Sequence, residues 1–148
     1  MYSDGNDSKT AGTVGAVSGA LLGIGIWCLI GLLGRIAVVG GIAISLGALG
    51  GYFLFGRGMS KAGFIISLIV ILISVYNAAK LNYCITMSGI PDEGLTFRMC
   101  YNHFYPHLEL YGMSNNFFDD LKLGYFLAAV GGMVLFFKKF FRGTKVQR

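Results

Sequence analysis

The side chains of this chain that could do chemistry are few and lie close together. Cys84, Cys100, His103 and His107 fall in one stretch, "LNYCITMSGIPDEGLTFRMCYNHFYPHLELYGMSNNFFDDLK". Three states are open to the cysteine pair. Cys84 and Cys100 can form a disulfide, closing a loop of about 16 residues and contributing roughly 3 kcal/mol. They can stay reduced, because the redox poise of the compartment decides. They can also join a metal site, Cys100-x2-His103-x3-His107 with Cys84 as a fourth ligand, a donor set that suits zinc. The spacing lacks the paired C-x2-C and H-x3-H frame, and Pro106 disturbs helical presentation of the ligands. Cys28, inside an apolar run, reads as a small apolar residue.

Enzyme chemistry has little to draw on. The polar candidates are His103, His107, Glu109, Asp92 and Glu93. A hydrolase needs a nucleophile and a base held together, and no spacing here does that. Histidines among so many aromatics read as interfacial hydrogen-bonding residues. No enzyme activity and no cofactor are expected.

The elements that must position these residues are apolar helices. Of the 148 residues, 55% are hydrophobic and 13% charged, against about 25% charged in a soluble domain. The charges bound uncharged runs of 25 residues (10–34), 21 (36–56), 18 (62–79) and 15 (123–137). A spanning helix needs about 20 apolar residues. The first three runs meet that. The fourth reaches it if Lys138 and Lys139 snorkel to the headgroups, with Phe140 and Phe141 beyond them. The expectation is a single all-α membrane domain over 1–148. Its spans lie at about 12–33, 36–55, 62–84 and 121–141, with an outer loop at about 88–120. The flank "MYSDGNDSK" is not a basic signal-peptide n-region, so the first span reads as retained. The sequon at Asn6 matters only if the N-terminus is lumenal.

Charge orients the spans. Lys9, Arg57, Lys61, Lys138, Lys139, Arg142, Lys145 and Arg148 fall on the side of the termini; Arg35, Lys80, Arg98 and Lys122 fall on the other. The positive-inside rule puts both termini in the cytoplasm. The basic tail "KKFFRGTKVQR" reads as a partner for anionic lipid. No nucleic-acid motif accompanies it, so nucleic acid is not expected.

Fifteen of the 23 glycines fall between Gly12 and Gly63. In lipid, close backbone approach replaces the hydrophobic force that packs helices in water, and small residues at every fourth position permit it. Gly15, Gly19 and Gly23 make one groove; Gly40, Ala43, Gly47 and Gly51 make another. The short link at Gly34-Arg35 makes the two helices antiparallel neighbours, a glycine-packed N-terminal hairpin. Glycine faces also serve association with a second copy or another membrane protein. The favoured role is structural, scaffolding or accessory, and the alternative is a small oligomeric channel or transporter. No charge lies mid-span, where ion pathways usually carry one. Ser60, Ser67 and Ser74 are spaced by seven. Ser60 reads as an N-cap, and the others as bonding to the preceding turn.

"LGALGGYFLFGRGMSKAGFIIS" resembles the connector of small four-span bacterial membrane proteins of unknown function. Gly51, Tyr52, Gly56, Gly58, Ser60, Lys61 and Gly63 carry the likeness, which covers about residues 12–80. The resemblance implies a bacterial plasma-membrane protein and brings no assigned activity with it. Beyond it, Tyr83, Phe97, Tyr101, Phe104, Tyr105, Tyr111, Phe117 and Phe118 make the outer loop aromatic. The loop is expected to lie against the outer leaflet, partly as short helices, with a turn at Gly89 to Gly94 around Pro91.

Overall fold

A computed structural model describes residues 8–32, 39–58, 60–90 and 94–143, with side chains through Lys138. Arg35, Pro91, Asp92, Glu93, Lys145 and Arg148 lie outside the described residues. Six helices follow in order: α1 Lys9–Leu32, α2 Gly40–Gly56, α3 Lys61–Ser88, α4 Phe97–Asn102, α5 Phe104–Leu110 and α6 Ser114–Gly143. No strand occurs among the described residues.

At 1.5 Å per residue, α1, α3 and α6 run about 36, 42 and 45 Å, enough to cross a hydrocarbon core of about 30 Å. All three are apolar enough to do so. Helix α2 is shorter, 17 residues, or about 26 Å. Their outward faces are apolar: Leu21, Leu22, Leu29, Leu54, Ile65, Ile73, Phe126 and Phe136 are all exposed. Lipid is the solvent that such a surface fits.

One helix starts before its expected span: the fourth span was expected from about 121, and α6 begins at Ser114. The third helix ends at Ser88, where the outer loop was expected to begin. The stretch between the long helices is about 89–113, against an expected loop of about 88–120. The physical reason is that charges mark where lipid ends and not where a helix ends. Asp119 and Lys122 sit on α6 as an exposed pair 3.4 Å apart, and Asp120 accepts a hydrogen bond from Tyr83 of α3.

Helices α1 and α2 run antiparallel with their backbones in contact. A Cβ on Gly15 would meet the Gly51 carbonyl, one on Gly19 would meet the Gly47 carbonyl, and the reverse holds for Gly47 and Gly51. A Cβ on Gly23 would lie 2.5 Å from Ile44 Cα, and one on Gly40 would lie 2.6 Å from Trp27 Cβ. At these crossings only hydrogen fits on the α-carbon. The start of α1 is tied to the end of α2 by Ser8 N–H donating to the Gly56 carbonyl, 3.2 Å.

A second seam joins α2 to α6. A Cβ on Gly41 would stand 2.5 Å from the Gly124 carbonyl, and Gly131 lies against Ser45 and Ile42. Helix α2 is therefore held between α1 and α6 by backbone contact on two faces. Two large rings fill what the glycines open. Trp27, 1% exposed, lies against Gly40 of α2 and Gly124 of α6, and Val75 of α3 packs on the same glycine. All four long helices meet there. Tyr52, 0% exposed, has its ring between Gly12 of α1 and Gly63 of α3.

The connector from α2 to α3 is tight. Arg57 takes the left-handed conformation at the end of α2, with φ 59°. Ser60 caps α3, its Oγ accepting from Gly63 N–H at 3.1 Å. Among the residues carrying the resemblance, Tyr52 and Gly63 touch directly, and Gly51 lies on the α1 seam.

Candidate functional site

The chemistry-bearing residues gather where α4, α5 and the start of α6 pack on the C-terminal half of α3. Phe117 is their centre and is fully buried. Its ring meets Tyr83 edge-on at 5.4 Å, Phe104 at 5.0 Å and Tyr76 at 6.4 Å between centroids. Edge-to-face packing of this kind sets a positive ring edge on a negative face.

Polar tips are satisfied at the rim of this cluster. The Tyr83 hydroxyl donates to Asp120 Oδ2 at 2.6 Å. The Tyr76 and Tyr105 hydroxyls share a hydrogen bond of 2.9 Å. Tyr125 donates to the Leu72 carbonyl at 2.9 Å, tying α6 to α3. Lys80 lays its ammonium over the Tyr101 ring, 4.1 Å from the centroid, with Phe104 at 5.5 Å. That is cation–π distance, so the amine of Lys80 serves to hold α4 and α5 against α3.

Within this cluster Cys84 of α3 and Cys100 of α4 are both fully buried. Cys100 Sγ–H donates to Cys84 Sγ at 3.0 Å, and both are thiols. Cys28 is a third free thiol, half-buried on α1.

The histidines do not join them. Cys100 faces α3, while His103 is exposed and His107 only half-buried. The His107 Nδ1 pairs with the His103 carbonyl at 2.7 Å. Among the described residues no three His, Cys, Asp or Glu side chains come together as a metal set. Pro106 lies in the first turn of α5, where its missing N–H has no helical partner to lose.

The outer segment divides its aromatics rather than laying them all on a membrane surface. Phe104 and Phe117 turn into the protein; Phe97, Tyr101, Tyr105 and Phe118 remain exposed. Of the three spaced serines, Ser60 caps α3. The Oγ of Ser67 is buried without a hydrogen-bond partner, so it does not bond the preceding turn as the spacing suggested.

Sequence reasoning missed Trp27, Gly124 and Gly131, and gave Tyr52 no packing role. The available signal was pairing: each ring needs small residues opposite it, and two bulky rings in glycine-rich surroundings call for such partners. Compared with protein-family models, curated proteins and solved structures, the chain shows no significant match.

Proposed function

We propose that the chain is a four-span plasma-membrane protein of a bacterium, with cytoplasmic termini and a structural, scaffolding or accessory role. The observation that carries this reading is the filled interior. Trp27 and Tyr52 plug the spaces between the long helices, and glycine seams bring backbones into contact around them. Among the described residues the buried polar side chains are Ser45, Ser60, Ser67 and Ser74, with no charge among them. Ion and proton routes through a membrane are usually marked by buried ionisable groups. A bundle packed in this way fits a rigid body better than a gated path.

The Gly15–Gly23 groove is occupied by α2 of the same chain. Association with a second copy or another membrane protein therefore uses the outward faces of the long helices. The basic tail is assigned to anionic lipid, where each cation contributes about 1 kcal/mol.

Purified protein reconstituted in liposomes tests the role. Ion and small-solute flux is expected to match that of protein-free vesicles. Flux that rises with protein content would overturn the reading in favour of a small oligomeric channel.

A further inference from the structure

Helix α4 is six residues long, and Cys100 is its buried residue. A helix of that length does not hold itself together in water; it stays on α3 through the small buried side chain of Cys100 and the exposed contact of Lys80 with the Tyr101 ring. The other side chains of α4, Phe97, Arg98, Met99, Tyr101 and Asn102, are exposed. Yet α4 ends with its sulfur 3.0 Å from Cys84 of α3, both atoms enclosed. Gly94, with φ +58°, turns the chain just before α4.

From this juxtaposition we infer that Cys84 and Cys100 are a redox-active dithiol that closes to a disulfide, clasping α4 onto α3 beside the aromatic cluster. The oxidant is a disulfide donor, either a small-molecule disulfide or a protein one. Cys100 is enclosed while α4 is docked, so local opening of this short helix brings its sulfur to the donor and Cys100 reacts first. Its sulfur attacks the donor disulfide, forms a mixed disulfide and releases one donor thiol. Cys84 then attacks Cys100 Sγ, forms the internal bond and releases the second donor thiol. The two cysteine protons end on the two released thiols, and the two electrons lost by the chain reduce the donor. Helix α3, anchored along its length, supplies the resolving sulfur.

The test uses the full chain in its own membranes, incubated with glutathione disulfide or with dithiothreitol. Samples are acid-quenched, denatured and alkylated with N-ethylmaleimide before intact-mass and peptide analysis. After the disulfide, one cysteine, Cys28, is expected to carry the alkyl group, and the peptides containing Cys84 and Cys100 are expected to be linked. After dithiothreitol all three are expected to be alkylated. In Cys100→Ser, Cys84 is expected to be alkylated under both treatments. The inference is overturned by three alkylated cysteines after the disulfide treatment. It is equally overturned by glutathione left on either residue in place of the internal bond, or by a link between two chains.

Discussion

Gly19→Leu is expected to force α1 and α2 apart and to lower the stability of the purified protein by about 3 kcal/mol or more. That is at or beyond the top of the roughly 1–3 kcal/mol range for overpacking. The reason is that the obstacle is backbone. A Cβ at this position runs into the Gly47 carbonyl, and the facing position is equally closed, since a Cβ on Gly47 meets the Gly19 carbonyl. A side chain can change rotamer to admit a neighbour, but a helical carbonyl cannot move without moving its helix. Gly25→Leu in the same helix is the matched control, because a Cβ there meets nothing within 4 Å. That substitution also replaces glycine with a better helix former. Leu32→Ala, at a residue 65% exposed, is expected to stay within about 0.5 kcal/mol. Thermal unfolding in detergent compares the three. Equal losses at Gly19 and Gly25 would show that glycine matters here for flexibility and not for contact.

Trp27→Ala is expected to cost about 3–5 kcal/mol, the range for truncating a large buried ring. Lipid tails are as apolar as the bundle interior, so little of this loss is transfer free energy. Most of it is lost dispersion contact across a void that the backbone cannot close. Gly40 and Gly124 offer no side chain to fill the space, and Val75 reaches only one side of it. Trp27→Phe should recover part of the loss. The same detergent melts measure the effect, and a Trp27→Ala protein as stable as the parent would remove Trp27 as the four-helix junction.

What could be read from residues alone was set by physics that acts locally along the chain. Long uncharged runs force helices in lipid, and α1, α3 and α6 are long and apolar enough to span. The glycine beat in α1 is equally local, because a four-residue spacing defines one helix face whatever packs on it. The seam between α2 and α6 was legible and was missed: Gly124, Ala128 and Gly132 repeat the four-residue spacing of small residues, with Gly131 beside them, and Ala128 is buried. The start of α6 was hidden for a different reason. "SNNFFDDLK" looks like polar loop until Phe117 is seen buried and Asp120 is seen bonded to Tyr83.

The cysteine region shows the same limit. Spacing alone allowed disulfide, free thiols or a metal set. The three-dimensional arrangement brings Cys100 to Cys84, while His103 stays exposed and His107 half-buried. Burial along α4 and α5 separates these residues, and both helices are too short for periodicity to reveal it.

Long helices that cross the bilayer as one bundle present their two ends to opposite sides, and sidedness of labelling tests that most directly. Single reporter cysteines at Ser8, Gly58, Ser114 and Thr144, in a chain with its own three cysteines replaced by serine, are exposed to an impermeant maleimide in intact cells. Ser8 and Gly58 belong to one end of the bundle, where Ser8 N–H bonds the Gly56 carbonyl, and α3 leads from there to the Ser114 end. On the proposed orientation, with the termini inside, the reporter at Ser114 is expected to label from outside, while those at Ser8, Gly58 and Thr144 label only after the cells are opened. Labelling of Ser8 and Gly58 from opposite sides, or of Ser114 and Gly58 from the same side, would contradict the account.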